Sequence, residues 1–334
     1  MLANFEIKVT RAEQSKLKGF TLENLPFGKY FSDHMLEADY VNGEWTHVEI
    51  KPYQPLLLNP GLSALHYGQA IFEGIKAFRD HSGNAWIFRP EDNHRRFNVS
   101  ATRLQMPEVP AGIFLEGMRQ LVALEKKWIP EMKDHSLYIR PFMFATDDTL
   151  GVHPSNSYKF LIILSPAGPY YPKPMRIYVE ERYTRAAPGG VGYAKAAGNY
   201  AAALLPTAEA QQKGYDQVLW TDAIEHKYAQ EIGTMNVFFV LKDKVLTPDL
   251  KSETILAGVT RDTVITLLRE LGHTVEEGQI NIEDIIAAYK KGELLEVFGT
   301  GTAATVAMIR ELRYKDFTMD FNTDTWKVCT SAKK

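Results

Sequence analysis

The chain has 334 residues, 45% of them hydrophobic and 24% charged, a composition typical of a globular protein large enough for two domains. Its formal net charge of −3 argues against the basic surface that nucleic acids and membrane surfaces attract, so we expect neither as a partner. The sole cysteine, Cys329, excludes an internal disulfide or a cysteine metal cluster; we expect a surface position for it, a cytoplasmic protein and no metal.

The first half of the chain mixes predicted helices and strands. An apolar segment from Ala64 to Phe78 predicts a helix that leads into a strand. Farther along, helical spacing predicts a second helix that Pro130 ends, and its apolar residues are Phe114, Met118, Leu121 and Val122.

A proline-rich segment, SPAGPYYPKP, divides the chain near its middle. It follows a strand that we predict to end at Leu164, and its prolines favour extended or turn backbone over helix. We therefore predict a small N-terminal domain over residues 1–164, a linker over 165–174 and a larger domain over 175–334.

The second half contains further helix and strand patterns. A helix is predicted from Asn199 to Lys213, with a kink or break at Pro206. An apolar stripe predicts another helix before Gly272, and its residues are Val264, Leu267, Leu268 and Leu271. Because the helices and strands do not repeat as βαβ units, we predict two domains of the α/β or α+β class.

The segment GGVGYAKAAGNY, residues 189–200, surrounds Lys195 with small or uncharged residues. Surroundings of low polarity favour the uncharged amine, which is a nucleophile. Small neighbours also leave room for a flat ring beside the backbone. Without further information, a solvated lysine beside a turn is the more common interpretation of such a segment.

Glu231, in YAQEIGTMN, stands among apolar residues just before an apolar strand. A carboxylate in such surroundings costs free energy unless it meets a cation or a hydrogen-bond donor. The partner could be the protonated ring nitrogen of a ligand. The alternative is a structural glutamate paired within the protein.

Three segments could bind an anion. AGVTRD, residues 257–262, leads into a helix whose first amides can bind phosphate, although Thr260 or Asp262 could simply cap that helix. EVFGTGTA, residues 296–303, could present backbone N–H groups from its turn, whereas its glycine spacing fits a dinucleotide-binding motif poorly. In FRPEDNHRRF, residues 88–97, an inward-facing arginine could grip a phosphate, and the alternative is a solvated basic turn.

Together, these segments resemble the fold-type IV pyridoxal-phosphate enzymes, and most closely the branched-chain amino acid aminotransferases. The matching segments follow the family's order along nearly the whole chain: FGKYFSDHML, ALHYGQAIFEGIKAF, LYIRPFMFATDDTLGV, GGVGYAKAAGNYAAAL, GYDQVLW, EIGTMNVFF, ILAGVTRD and EVFGTGTA. The resemblance implies a two-domain fold-type IV architecture with pyridoxal 5'-phosphate as the cofactor.

The resemblance also implies roles for individual residues. Lys195 matches the lysine that binds the cofactor covalently, Glu231 the carboxylate facing the pyridine nitrogen, and Tyr200 the tyrosine near the ring hydroxyl. The phosphate cradle and its nearby turn are matched by Arg96, Thr234, Val259, Thr260 and Thr302. The positions that hold the substrate α-carboxylate are matched by Tyr67, Thr302 and Ala303. The side-chain pocket is matched by Phe27, Phe72, Tyr138 and, at the distal carboxylate of glutamate, Arg140.

The reaction that the resemblance implies is transfer of the amino group of L-Leu, L-Ile or L-Val to 2-oxoglutarate, giving glutamate, with ping-pong kinetics. Leu150 and Val152 match a loop that reaches the neighbouring subunit's site, which implies a homodimer. The family ends with an amphipathic helix, and we expect SAKK to fall where that helix would be starting.

Two other functions are compatible with these motifs. A D-amino acid aminotransferase or an aminodeoxychorismate lyase of the same fold would share Lys195 and Glu231, although the FGKYFSDHML segment favours the branched-chain family. A non-catalytic binding protein of similar architecture is the second alternative, and a lack of bound cofactor would distinguish it.

Overall fold

The computed structural model describes residues 5–23, 25–171 and 173–333. The chain divides into two compact units, of which the first contains Met1–Tyr170 and Ala194–Gly198, and the second Tyr171–Tyr193 and Asn199–Lys334. The segment that carries Lys195 therefore belongs to the first unit, although it lies beyond the predicted linker. A division of the chain at the linker alone would place this segment in the second unit.

The predicted linker and domains can be compared with the described residues only in part. Residues 1–4, 24 and 334 of the two predicted domains, and residue 172 of the predicted linker, lie outside the described residues. The first unit gives way to the second at Tyr170–Tyr171, and the domain roles of the two ranges stay a prediction.

The strand before the linker is longer than we predicted, because it continues through Ala167. Pro166 lies opposite Leu137 of one neighbouring strand. On its other side, the strand is paired only over its own residues Tyr158 to Ile162. Pro166 lies beyond these residues, so its missing N–H removes no hydrogen bond on that side.

In the first unit, strands form one sheet and helices cover it. Its elements are β1 Lys8–Val9, β2 His34–Val41, β3 Glu44–Pro52, α1 Ser63–Tyr67, β4 Ala70–Phe72, β5 Ile75–Arg79, β6 Ala85–Ile87, α2 Pro90–Arg103, a π-helical turn Gly112–Glu116, α3 Gly117–Leu124, a 3-10 turn Lys126–Trp128, β7 Ser136–Ala145 and β8 Tyr158–Ala167. The strand order is β1-β3-β2-β8-β7-β5-β6, and β4 pairs with β7.

The core of the first unit lies between this sheet and helices α2 and α3. The predicted stripe Phe114, Met118, Leu121 and Val122 is buried there. The ring of Phe114 lies 5.3 Å from that of Phe97 and 5.7 Å from that of Phe160, measured between centroids. The helix predicted from Ala64 is a short one, because Gly68 ends it in the left-handed region at φ 68°.

The second unit is built on a larger sheet. Its elements are β9 Met175–Val179, α4 Ala197–Ala201 (which begins in the first unit), α5 Leu204–Gln212, β10 Gln217–Thr221, β11 Ala229–Ile232, β12 Met235–Leu241, β13 Val245–Pro248, α6 Val259–Glu270, β14 Val275–Gly278, α7 Ile282–Lys290, β15 Leu294–Gly301, β16 Thr305–Tyr314, β17 Phe317–Asp320, a 3-10 turn Thr323–Thr325 and α8 Val328–Lys333. The order is β11-β10-β9-β16-β15-β12-β13-β14, β17 pairs with β16, and a further pairing of β11 with β12 closes part of the sheet into a ring.

Two helices of the second unit differ from their predicted form. The helix predicted over residues 199–213 is broken, but the break lies between α4 and α5, and Pro206 sits in the first turn of α5, where its missing N–H is tolerated. In α6 the buried face is formed by Val264, Ile265 and Leu268, whereas Leu267 and Leu271 are exposed. The apolar stripe therefore predicted the helix correctly, but it predicted only part of the face that the helix buries.

Cys329 is buried, contrary to the expected surface position. It lies in α8 within the apolar cluster that includes Trp326 and Phe298. Burial, and to a lesser extent the charge of Glu296, raise the pKa of its thiol to about 12. Among residues 5–23, 25–171 and 173–333, no helix is both long enough and apolar enough to cross a bilayer.

Candidate active site

Main-chain hydrogen bonds hold Lys195 in the first unit. Its carbonyl accepts the N–H of Phe72 at 3.1 Å, and its own N–H donates to Oγ of Ser100 in α2 at 2.9 Å. Ala196 pairs with Ile71 of β4. The half-buried side chain places Nζ 4.8 Å from the centroid of the Phe72 ring, beside an aromatic wall.

The residues predicted for the side-chain pocket lie together in the same unit. The guanidinium carbon of Arg140 is 4.5 Å from the Phe72 ring centroid, and Arg140 Nη2 donates to the Tyr138 hydroxyl at 3.1 Å. The rings of Phe27 and Tyr138 meet edge to face at 4.7 Å. Gly74 is required beside them, because a Cβ there would overlap the Tyr138 hydroxyl.

Tyr170 belongs to this aromatic group and was missed by sequence reasoning. Its ring lies 4.9 Å from that of Phe27. Burial and the neighbouring Tyr138 raise the pKa of the Tyr170 hydroxyl, while Arg140 opposes the rise. The prolines around Tyr170 predict only a linker, so this residue is not expected in the pocket. The adjacent tyrosines of the segment are the feature of the sequence that could have indicated it.

Tyr67, Leu150 and Val152 lie on an exposed part of the first unit. The Tyr67 hydroxyl donates to the carbonyl of Leu150. The side chains of Leu150 and Val152 are 66% and 84% exposed. Apolar side chains with that exposure are candidates for contact with another molecule.

The two adjacent arginines face different environments. Residues 90–103 form helix α2, so this segment is mostly helical where the alternative interpretation expected a turn. Arg95 is exposed and pairs with Asp92, as expected for the solvated alternative. Arg96 is directed inward, where Nε and Nη2 donate to the carboxylate of Glu73 at 2.7 and 2.8 Å.

In the second unit, Glu231 is 2% exposed and is the first member of a polar row across three strands. Glu231 of β11 lies opposite Asn236 of β12, which lies opposite Thr300 of β15, so the three side chains share one face. The Thr300 hydroxyl is buried and has no hydrogen-bond partner within the described part of the chain. Sequence reasoning missed Asn236 and Thr300, because strand register is needed to bring them beside Glu231.

Arg185 is the cation that pairs with the buried carboxylate of Glu231. Arg185 Nε is 2.9 Å from Glu231 Oε2, and the N–H of Leu256 donates to Oε1 at 2.7 Å. Arg185 is itself fixed by donating to the carbonyls of Thr254 and Gly192 at 2.7 and 3.2 Å. This ion pair is the internal partner that the structural alternative predicted for Glu231, and a carboxylate can accept more hydrogen bonds than these two.

The start of helix α6 is held by the same polar row. Asn236 Nδ2 donates to the carbonyl of Leu256 at 3.0 Å, and its Oδ1 lies where a Cβ on Gly258 would be. Gly258 is the N-cap, so Thr260 and Asp262 fall inside the first turn instead of at the capping position. Val259 and Thr260 therefore supply the first amides of the helix, the groups that commonly bind anions.

The remaining predicted residues of the second unit occupy turns and helix α4. Thr234 lies in the turn between β11 and β12, and Thr302 and Ala303 lie between β15 and β16. Because Asn236 and Thr300 pair directly, these two turns stand at the same end of the sheet. Tyr200 is half-buried in α4.

Two further features bear on possible ligands. Within the described residues, no group of three or more His, Cys, Asp or Glu side chains is placed to hold a metal ion. A cavity of about 600 Å³ opens in the second unit beside the turn 222–228 and the segment 248–255. The predicted site residues do not line it, although Gln230 and Thr254 are close neighbours of Glu231 and Leu256 in the chain.

Comparison with known proteins identifies the family. Residues 70–312 match the model for amino-transferase class IV. A probable branched-chain-amino-acid aminotransferase of Staphylococcus aureus (strain N315) is 51% identical over 315 residues, covering 93% of this chain and 87% of that protein. Branched-chain-amino-acid transaminase 1 of Bacillus subtilis (strain 168) is 53% identical over 294 residues, covering 86% of this chain and 82% of that protein.

A solved structure agrees with these relatives. An aminotransferase from Brucella abortus, bound to the co-factor PLP (pyridoxal 5'-phosphate), superposes with a TM-score of 0.69 at 27% identity, covering 89% of this chain and 96% of that one. The predicted α/β (α+β) class and fold-type IV architecture are thereby confirmed. The chain belongs to the class IV aminotransferase family, alongside the branched-chain-amino-acid aminotransferases.

Proposed function

We propose that this chain transfers the amino group of L-leucine, L-isoleucine or L-valine to 2-oxoglutarate. The observation that carries the proposal is the position of Phe72, whose ring adjoins both Lys195 Nζ and the Arg140 guanidinium at 4.8 and 4.5 Å. The reacting amine thus adjoins a pocket that offers both aromatic walls and a cation. Aromatic walls suit a branched apolar side chain, and the cation suits the distal carboxylate of glutamate.

The cofactor of this class IV aminotransferase is pyridoxal 5'-phosphate. The residues present fit it. Glu231 is a buried carboxylate that Arg185 stabilises and that can accept a bond from a ring nitrogen. Thr300 offers a buried hydroxyl on the same face, and the first amides of α6 are suited to a phosphate group.

Specific residues would hold this group. We propose that Lys195 binds it covalently, that Glu231 faces its ring nitrogen and that Tyr200 lies near its hydroxyl. The phosphate would be held by Arg96, Val259, Thr260, Thr302 and the turn containing Thr234. The substrate α-carboxylate would be held by Tyr67, Thr302 and Ala303.

The chain's own residues then have defined tasks. When bound, the cofactor supplies the aldehyde carbon that receives the amino group and a ring that withdraws electrons from the substrate Cα. Lys195 Nζ would take the proton from the substrate Cα and deliver it to the aldehyde carbon of the cofactor. Glu231 holds a proton on the ring nitrogen. Phe27, Phe72 and Tyr138 orient the side chain of the substrate and exclude water from it.

We further propose that the protein is a cytoplasmic homodimer. The exposed apolar side chains of Leu150 and Val152 support a second copy as the partner, because their exposure is high and they lie in a loop that the Tyr67 hydrogen bond fixes at Leu150. The single, buried cysteine is compatible with a reducing compartment.

A substrate panel tests the activity. The purified protein is assayed with pyridoxal phosphate and 2-oxoglutarate against L-leucine, L-isoleucine, L-valine and D-alanine, and separately with 4-amino-4-deoxychorismate. We expect glutamate formation with the three branched-chain substrates. Faster turnover of D-alanine, or product only from 4-amino-4-deoxychorismate, would assign the chain to another activity of the same fold, and a colourless, inactive protein would indicate a non-catalytic binding protein.

A further inference from the structure

Glu73 is a fully buried carboxylate that follows directly after Phe72 in the first unit. Its Oε1 accepts from Arg96 Nε at 2.7 Å and its Oε2 from Arg96 Nη2 at 2.8 Å. Asn93 Nδ2 also donates to Oε2 at 2.7 Å, and the N–H of Gly74 does so at 3.1 Å. A buried charge persists only with such a set of donors, since an unpaired one would be strongly destabilising.

The electrostatics of Glu73 extend to Lys195. Burial by itself raises the pKa of this carboxyl group, but the charge of Arg96, its hydrogen bonds and the charge of Lys195 outweigh burial and lower the pKa below its usual value. Glu73 is therefore negatively charged at neutral pH. It pairs directly with Arg96 and follows Phe72, whose N–H donates to the carbonyl of Lys195, so it lies close to two of the cations that we propose to bind the cofactor.

We propose that Glu73 is a positioning residue of the transaminase site, which directs Arg96 toward the cofactor phosphate and balances the positive charge at Lys195. This inference rests on the proposed function, in which Arg96 binds the phosphate and Lys195 carries the cofactor. The fork to Glu73 uses one edge of the planar guanidinium, so it fixes the direction of the other edge. Glu73 acts through Arg96 and Lys195 and need not contact the cofactor.

The substitution Glu73→Gln tests this role, because it keeps the size of the side chain and removes its charge. We expect the dissociation constant for pyridoxal phosphate, measured on the cofactor-depleted full chain, to rise about tenfold, the lower end of what loss of an orienting partner costs at metal sites. The absorbance of the bound cofactor should also titrate at lower pH. Loss of a nearby negative charge disfavours the protonated form of the nitrogen that joins Lys195 to the cofactor.

Glu37→Gln is the matched control. Glu37 is also a buried carboxylate of the first unit, and Lys51 and Lys159 pair with it. This variant should lose thermal stability while the dissociation constant and the absorbance titration stay those of the wild type. If Glu73→Gln changes only thermal stability, as this control does, Glu73 has a structural role and the inference is wrong.

A second variant covers the case in which Glu73→Gln does not fold. Asn93→Ala removes one donor to Glu73 and leaves both charges in place. We expect its dissociation constant for the cofactor to rise about threefold, as loss of one hydrogen bond implies; an unchanged constant would overturn the inference. A wild-type protein that neither binds pyridoxal phosphate nor transaminates would overturn the proposed function instead.

Discussion

Glu231 and Arg185 form a buried ion pair, and the charge of Glu231 is the feature that the proposed chemistry uses. In Glu231→Gln the side chain keeps its size but loses that charge. We expect the turnover number to fall at least about 100-fold, the lower end of the effect of a general acid–base group. The bound cofactor, measured by its absorbance, should be retained.

The control for this variant is Glu296→Gln in the same unit. Glu296 is also buried, and it accepts the N–H groups of Lys327, Val328 and Cys329 at the start of α8. Its loss should lower the melting temperature and leave turnover unchanged. Near-normal turnover in Glu231→Gln would show that the proton on the ring nitrogen does not depend on this carboxylate.

We propose that Arg140 lets one pocket accept two kinds of substrate. Arg140→Met replaces the guanidinium between Phe72 and Tyr138 by an apolar side chain of similar length. We expect KM for 2-oxoglutarate to rise about tenfold or more, since a charge-assisted hydrogen bond is lost, while KM for L-leucine changes little. Steady-state kinetics of the two half-reactions measure this split.

Arg95→Met is the matched control, because Arg95 is exposed on α2. It should leave both constants unchanged. An equal rise of KM for 2-oxoglutarate and KM for L-leucine in Arg140→Met would mean that Arg140 stabilises the pocket in general and does not bind the distal carboxylate.

Some residues of the candidate site could be predicted from the sequence alone, whereas others could not. Motif order predicts roles for Lys195, Glu231 and Arg140, because each lies within a continuous matching segment. The partners Arg185 and Asn236 could not be found in this way. They meet Glu231 through a loop and through strand register, and neither is visible in local spacing.

At the scale of elements, the position of helix α6 depends on a close approach between two segments. Gly258 precedes the helix and lies against Asn236 Oδ1, so Gly258→Ala would force one of them to move. We expect the free energy of unfolding to fall by about 1–3 kcal/mol, as for other overpacked sites. The affinity for pyridoxal phosphate should also fall, because the first amides of the helix are displaced.

Gly278→Ala provides the comparison, because an added Cβ at Gly278 would meet no atom within 4 Å. Chemical denaturation and cofactor titration of the two variants separate a steric effect from a general effect of the methyl group. Equal behaviour of the two variants would mean that the start of α6 adapts without cost.

Elements with strong local signals were predicted well. The helix before Gly272 forms, and the residues of the other predicted stripe, Phe114, Met118, Leu121 and Val122, are buried along helical backbone as predicted. The buried face of α6 and the end of β8 were predicted less well. Both depend on what packs or pairs against the element, which its own sequence does not contain.

At the scale of the whole molecule, the chain crosses between its two units more than once. Residues 194–198 return to the first unit because Ala196 pairs with Ile71, and this brings Lys195 beside Phe72. Such a return joins residues that are far apart in the chain. A division by composition alone could find the change near Tyr170 but not this second crossing.

The proposed homodimer gives a prediction at the same scale. A double substitution, Leu150→Asp with Val152→Asp, places two charges on the exposed apolar loop. Burial of unpaired charges at an interface is unfavourable, so we expect dissociation to monomers in sedimentation velocity.

The control is Leu271→Asp, at an exposed apolar residue just after α6. This variant should stay dimeric. A wild-type monomer, or a loop variant that stays dimeric, would contradict the proposed interface.

The most direct measurement is chemical trapping of the lysine that carries the cofactor. The purified protein with bound pyridoxal phosphate is reduced with borohydride and digested, and the labelled peptide is sequenced by mass spectrometry. We predict a single label, on Lys195. A label on another lysine, or no label on a protein that transaminates, would contradict the central assignment.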